Sequence, residues 1–293
     1  MNPIVHHPFS YQVGPLQLTG FGIAVLLAFM IAQITSAEIL EERGYDPTIT
    51  ADCLFGAVIG GLLGAKVYYA ILVGDWHALF ARAGFVFWGG LIGGILVTAA
   101  VIKYKGWPFT RISDAAAPGL AAAYAIGRTG CWAVGDDYGR PWQSAMAVMF
   151  PNGAPPSPAQ NLSELFHVSL PPNTAPDTVL SVYPTQLFEV AMGTGMFFIL
   201  WSLRRHRHAE GWLFGLYCVL AGVERFIIEF FRAKDDRFFG GLTLAQVIAV
   251  AFAIGGALWM AARWNVSANA PGIDAPVDAK GTKRVKGATP AAA

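Results

Sequence analysis

Apolar residues along this chain gather into long runs, and the polar residues gather between them. A membrane-crossing helix needs about 20 mostly apolar residues. Runs near residues 16–36, 52–73, 84–103, 115–134, 186–203, 211–231 and 242–263 meet or approach that length. The fourth is the weakest, being rich in Ala and Gly and closing on charged residues. The pattern predicts an all-α, polytopic membrane helix bundle of about seven transmembrane helices. Residues 135–182, rich in Pro, Asn and Ser with Arg140 their one base, read as a small external head. The membrane-embedded domain is expected over 1–266. Residues 267–293 lack periodicity and read as a disordered cytoplasmic tail.

Composition supports this reading. Of 293 residues 55% are hydrophobic and 13% charged, about half the charged fraction of a soluble domain. A net charge of +1 and the absence of a basic groove with interleaved aromatics argue against nucleic acid. Cys53, Cys131 and Cys218 are odd in number and far apart, so neither a disulfide framework nor a zinc spacing is present. The first 15 residues carry no Lys or Arg and no cleavage pattern, so the first span is expected to stay uncleaved.

Orientation follows the Lys/Arg bias of short loops. Lys103, Lys105 and Arg111 follow span three, Arg204, Arg205 and Arg207 follow span five, and Arg263 opens the basic tail. With seven spans these lie on one side, the cytoplasm, and the N-terminus faces out. The first loop, with Glu38, Glu41, Glu42, Arg43 and Asp46, fits this side poorly.

Charge at membrane depth is costly and is kept for a pathway or a site. The run Gly127 to Gly139 therefore stands out, with Arg128, Asp136 and Asp137 closing an apolar stretch. The planar guanidinium of Arg128 matches a phosphate, and Gly127, Gly130 and Gly139 leave room for a headgroup. The alternative is an arginine that snorkels or pairs with Asp136 or Asp137. Arg225 and Glu229 are four apart and Arg225 and Arg232 seven apart, so all three share one helix face, and they read either as a second cationic clamp or as an internal salt bridge. Tyr183-Pro184-Thr185-Gln186-Leu187-Phe188-Glu189 opens span five, with Pro184 well placed at a helix start and Thr185 able to cap. Glycine pairs four apart, Gly60/Gly64, Gly89/Gly93 and Gly90/Gly94, read as tight helix packing or as backbone that approaches a headgroup. His206 and His208 lie in a basic loop and read as solvated, His6 and His7 are terminal, and His77 sits beside Trp76. No spacing supports a metal site, and no cofactor is expected.

Taken in order, these pieces resemble the prolipoprotein diacylglyceryl transferase family. The matching elements are Trp88-Gly89-Gly90-Leu91-Ile92-Gly93, the Gly127–Gly139 run, Tyr183 to Glu189, Arg225 to Arg232, and Leu242-Thr243-Leu244-Ala245-Gln246. The resemblance covers roughly residues 16–262. It implies a bacterial inner-membrane enzyme that moves the diacylglyceryl group of phosphatidylglycerol to the lipobox cysteine thiol of a preprolipoprotein, releasing glycerol phosphate. Membrane lipids are its surroundings. Arg128 matches the family's motif arginine, and Arg225, Glu229 and Arg232 match its second charged cluster. On this reading Arg128, Arg225, Asp136 and Asp137 are catalytic candidates. Arg128, Gly89, Gly90, Gly127, Gly130, Gly139, Glu229 and Arg232 are substrate-binding candidates.

The chain departs from the family pattern at several positions. Trp88 stands where the family usually has His, Asp136 where Glu is expected, and Thr19-Gly20 where a Tyr-Gly pair is usual. The motif's two asparagines are replaced. Asp136, Asp137 or His77 then becomes the candidate base. Three other readings stay open: a related transferase with the same phospholipid donor and another acceptor, a non-catalytic lipid-binding membrane protein, and a transporter whose buried arginines line a path.

Overall fold

The computed structural model describes residues 4–14, 16–81, 84–233, 237–239 and 241–265. The expected disordered tail, 267–293, lies outside the described residues. The long apolar runs form helices α1 (Gly20–Glu42), α2 (Thr48–Val73), α3 (Phe87–Tyr104), α4 (Phe109–Val134), α6 (Thr185–Ser202), α7 (Trp212–Ile228) and α8 (Leu244–Ala262). A short helix, α5 (Ala159–Glu164), lies between α4 and α6. By length and composition α1, α2, α3 and α8 are long and apolar enough to cross a membrane. Their outer faces are apolar and exposed, for example Leu26, Phe55, Leu63, Leu96 and Leu258, as lipid contact requires.

The protein is mostly helical, as expected, and a few strands of two to four residues accompany the helices. Strands β1 (Ile4–Val5), β4 (Val148–Met149) and β5 (Ser181–Val182) form a small sheet in the order β1-β4-β5. Strands β2 (Ser10–Val13) and β3 (Leu16–Thr19) pair antiparallel, as do β6 (Arg237–Phe239) and β7 (Leu242–Thr243). The first helix therefore starts at Gly20 rather than at 16, because Leu16–Thr19 alternates apolar and polar residues and pairs with Ser10–Val13. Helix α4 reaches back to Phe109, six residues before the expected start at 115.

The chain divides into two units. The first holds Met1–Ala32, Ala117–Leu203 and Trp212–Ala262. Ala117 and Ala121 of α4, Met196 and Leu200 of α6, and Trp212 and Leu213 of α7 form one of its cores. Tyr138, Val148, Phe150, Leu162, Val182 and Ala233 form another. Residues 135–182 thus supply most of a packed cluster that Ala233 and Trp132 complete, and β1 of the N-terminus joins their sheet.

The second unit holds Gln33–Ala116, Arg204–Gly211 and the described residues from Arg263 onward. Here α2 packs on α3 through glycine. A Cβ on Gly60 would come within 2.7 Å of Val97 Cβ, and one on Gly64 within 2.9 Å of Gly93 Cα. One on Gly89 would strike the Gly64 carbonyl, and one on Gly90 would lie 3.3 Å from the Gly61 carbonyl. Small residues at this spacing let backbones meet closely in lipid. Gly89 and Gly90 both face α2 in this packing.

The same unit contains a buried ion network. Arg111 Nε donates to Glu210 at 2.6 Å, and its guanidinium lies 4.1 Å over the Tyr45 ring. Asp114 takes His206 at 2.8 Å and Arg43 at 3.7 Å. Glu42 accepts from Arg204 and Arg205, each at 3.1 Å. His206 was expected in solvent and is instead buried, because its basic loop folds onto a carboxylate 92 positions earlier in the chain. Buried charge is tolerated only when paired in this way.

Candidate functional site

The site is built where α4 stops. Gly135 takes a left-handed conformation, φ 72°, and its N–H closes on the Cys131 carbonyl at 2.9 Å. Glycine carries no Cβ penalty there, so the helix ends and the chain turns. Asp136 and Asp137 follow immediately. Asp137 also has positive φ, 56°, a conformation that non-glycine residues adopt seldom and that Asp tolerates better than most.

The backbone of this turn is pinned by the start of α6. Thr185 Oγ1 donates to the Asp137 carbonyl at 2.7 Å, and Gln186 Nε2 to the Asp136 carbonyl at 2.5 Å. Thr185 was expected to cap its own helix. It makes no capping bond, because its hydroxyl serves the motif turn instead. Pro184 does stand at the helix start as expected.

Helix α7 supplies the third side. It ends at Ile228, and the next turn tightens through Phe230 N–H to Ile227 and Phe231 N–H to Ile228. Arg232 is therefore off the helix rather than on the continuing face the sequence suggested. Arg225 pairs with Glu229 at 2.7 Å, and Glu229 lies 3.8 Å from Arg232. Gly139 N–H donates to the Tyr183 carbonyl at 2.9 Å, and Arg140 N–H to the Phe231 carbonyl at 2.8 Å, which ties the three segments together.

Two arginines converge on one carboxylate. Arg128 Nη1 donates to Asp137 Oδ2 at 2.8 Å, and Arg232 Nη2 to Oδ1 at 2.7 Å. Arg128 Nη2 also meets Glu189 Oε1 at 3.1 Å. Glu189 is fully buried and accepts from the Tyr124 hydroxyl, which also reaches Glu224 at 2.9 Å. Arg128, Arg225, Asp137, Glu189, Glu229 and Arg232 thus form one chain of alternating charge. The sequence reading offered phosphate fork or salt bridge for Arg128, and at rest it is a salt bridge. Glu189, Tyr124 and Glu224 were not among the sequence candidates. Glu189 closes the Tyr183–Glu189 stretch in sequence, and only the third dimension brings it to Arg128.

The two aspartates differ. Burial raises the Asp137 carboxyl, but the charge and hydrogen bond of Arg232 and then those of Arg128 outweigh it, and it falls to about 2. Burial and then the neighbouring Asp137 push Asp136 up to about 6, against the Cys131 hydrogen bond and Arg128. Asp136 Oδ1 is buried without a hydrogen-bond partner. Asp137 is consequently a poor base at rest, while Asp136, pushed up to about 6, is the better suited of the two.

The glycines divide. A side chain on Gly127 would meet nothing within 4 Å. On Gly130 it would meet Ala24 Cβ at 2.8 Å, and on Gly139 Tyr183 Cβ at 2.7 Å. Of the three motif glycines, Gly127 alone leaves open room. Gly130 lets α4 approach α1, and Gly139 lets the motif pass the 183–185 and 231 segments.

Trp88 and His77 belong to the second unit, Trp88 half exposed beside Phe87 and His77 exposed beside Asp75. His6, near the N-terminus, is buried against Trp132 and Phe150, its ring centroid 4.9 and 5.0 Å from theirs. Burial and then the nearby His7 lower its pKa. One group of potential metal ligands occurs among the described residues, Cys131 with Asp136 and Asp137. Both oxygens of Asp137 already face guanidiniums, which disfavours a third cation.

Comparison with known proteins bears directly on this geometry. A family model described as prolipoprotein diacylglyceryl transferase matches residues 8–262. A phosphatidylglycerol--prolipoprotein diacylglyceryl transferase of Clostridium tetani is 28% identical over 250 residues, 83% of this chain and 92% of that protein. One of the same name from Xanthomonas oryzae pv. oryzae is 30% identical over 261 residues, 83% of this chain and 86% of that protein. One from Corynebacterium diphtheriae is 26% identical over 255 residues, 82% of this chain and 86% of that protein. The match spans α1 to α8 and every element that builds the arginine cluster, and on that ground the chain belongs to the prolipoprotein diacylglyceryl transferase family.

Proposed function

We propose that this protein is a multi-pass enzyme of the bacterial inner membrane that transfers the diacylglyceryl group of phosphatidylglycerol to the lipobox cysteine of a preprolipoprotein. The observation that carries the proposal is the convergence of Arg128 and Arg232, from separate elements, on a single anionic position at 2.8 and 2.7 Å. Two guanidiniums at that separation suit a phosphate.

In this reaction the acceptor sulfur attacks the glycerol carbon that bears the phosphate. The carbon–oxygen bond breaks, a thioether forms, and glycerol phosphate leaves. Negative charge grows on the departing phosphate oxygen, and Arg128 and Arg232 stabilise it without moving. Arg225 and Glu229 hold Arg232 from behind. The thiol proton goes to Asp136, whose buried carboxylate is the group in the motif closest to neutral titration. Gly127 gives the headgroup space. Gly89 and Gly90 act through helix packing.

The topology follows the same reading. All seven long helices cross the membrane; α6 and α7, like the others, carry exposed apolar side chains, among them Phe198 and Val223. The ends of α1 and α6 and the start of α4 face the cytoplasm. Glu42 and its neighbours, which fitted that side poorly, are matched there by Arg204 and Arg205. Alternation then puts the N-terminus, the end of α4 and residues 135–182 outside, where the secreted acceptor arrives.

The test is transfer of labelled phosphatidylglycerol to a lipobox peptide by the purified protein, with Trp88→His alongside. Thioether formation by the wild type supports the reading. If neither protein modifies the peptide, the lipoprotein acceptor is wrong, and hydrolysis of the same lipid without transfer would indicate another acceptor.

A further inference from the structure

Asp137 occupies the place that the proposed reaction needs for the lipid phosphate. We infer that Asp137 is a built-in stand-in for that phosphate, and that phosphatidylglycerol binds by exchanging its phosphodiester for this carboxylate between Arg128 and Arg232. The inference rests on the phosphate-binding role given to those two arginines above.

Four features of the cluster support an exchange rather than a permanent salt bridge. The first is charge. Three guanidiniums, Arg128, Arg225 and Arg232, alternate with three carboxylates, Asp137, Glu189 and Glu229. A phosphodiester carries one negative charge, as Asp137 does, so the swap keeps the cluster balanced. A phosphate added without a swap would bring a fourth anion beside Asp137.

The second is access. The side chains of Glu189 and Glu229 are 0% and 2% exposed, whereas that of Asp137 is 40% exposed. Asp137 is thus the one carboxylate of the three that an incoming group can reach and that can swing into solvent. The third is anchoring. Once Asp137 leaves, Arg128 still has Glu189 and Arg232 still has Glu229, so both guanidiniums stay in position.

The fourth is the backbone. Thr185 and Gln186 hold the carbonyls of Asp137 and Asp136, so the side chain can rotate while the turn stays fixed. The turn itself sets Asp137 at φ 56° and aims its carboxylate between the arginines. The carboxylate offers one oxygen to each guanidinium, which a side chain with donors alone could not do.

The carboxylate therefore competes with the lipid. If the open seat is a minor state, the apparent affinity for phosphate is reduced by the fraction open. Removing the charge relieves that competition. Asp137→Asn keeps the shape, and Asn tolerates positive φ; Asp137→Gly removes the side chain in a conformation that suits glycine.

The experiment is titration of the detergent-solubilised full chain with dihexanoyl phosphatidylglycerol, read by calorimetry and needing no acceptor peptide. Both variants should bind about tenfold more tightly than wild type, a shift that corresponds to an open seat populated roughly one time in ten. Arg128→Lys and Arg232→Lys should bind far more weakly. If the arginine variants lose binding while both Asp137 variants bind equally or less tightly than wild type, the seat stands and the exchange is overturned. If the arginine variants bind like wild type, the seat itself is wrong and the exchange fails with it.

Discussion

Arg128→Lys separates a guanidinium that orients from a charge that merely attracts. Arg128 is mostly buried and uses two different nitrogens, Nη1 for Asp137 at 2.8 Å and Nη2 for Glu189 at 3.1 Å. An ammonium is a single point and reaches one of these partners well. The group left short is either Glu189, with no exposure of its own, or the seat between the arginines. A lost charge-assisted hydrogen bond costs about 1.5–3 kcal/mol. Removing one preorganised donor from a developing oxyanion costs about 2.7–4 kcal/mol, or 10²–10³ in kcat. The second figure governs if Arg128 meets the leaving phosphate. The variant should therefore lose about a hundredfold or more in kcat while its unfolding midpoint in detergent falls only moderately. The assay is transfer of labelled diacylglyceryl to a lipobox peptide, with kcat and KM separated, next to thermal unfolding of the same preparation. A kcat within threefold of wild type would refute the reasoning, because no bidentate donor would then be acting at the reacting phosphate.

Three further outcomes test other parts of the structure. Asp136→Asn should lower transfer by about 10²-fold or more and flatten a pH profile that in the wild type rises through about pH 6 as the carboxyl ionises. Because folding raises this group's pKa above its ordinary value of 3.8, its contribution is neutral at low pH and turns unfavourable as pH climbs through about 6. The Asn variant should thus unfold at the same temperature as wild type at pH 4 and at a higher one at pH 8. Gly64→Val should push α2 off α3, since even a Cβ would sit 2.9 Å from Gly93 Cα; overpacking costs about 1–3 kcal/mol, and an unchanged unfolding midpoint would contradict the packing role. Glu210→Gln should destabilise by about 3–5 kcal/mol by leaving Arg111, 2% exposed, without its carboxylate. The pair Arg111→Met with Glu210→Leu should recover most of that, and failure to recover would show that the ions do more than neutralise each other.

Much of the site was legible in the chain, and the part that was not has a common cause. Arg128, Asp136, Asp137, Arg225, Glu229 and Arg232 stood out because charge in an apolar sequence is costly and needs a reason. Their ordering carried the family resemblance. What stayed hidden were pairings. Asp136 and Asp137 looked like equivalent candidates for the base, since adjacent residues of one type have the same sequence signature. The turn after Gly135 sends one between two arginines and leaves the other against Cys131, and their acidities move in opposite directions. The motif that ends in Glu189 showed no pairing, and Tyr124 gave no signal, because Tyr124 meets Glu189 and Glu224 across 65 and 100 positions of chain. His206 misled for the same reason. The glycines misled differently: absence of a side chain reads the same whether the space is filled by a helix or by a ligand, and only the neighbours at Gly89, Gly130 and Gly139 decide it.

The sequence by itself determined the helical, membrane-suited character of the chain, because burial in lipid is a property of composition and run length and needs no partner. It also determined the family, through motifs spread over most of the chain. Helix ends were half determined: Gly135 and Pro184 mark theirs by backbone chemistry that is local. The tertiary structure alone decided which charges meet, which glycines pack, and that strands from the N-terminus and from residues 148–182 make one sheet. Electrostatic and packing energies depend on distance in space, and at Asp137 a few ångströms separate a base from a counter-ion.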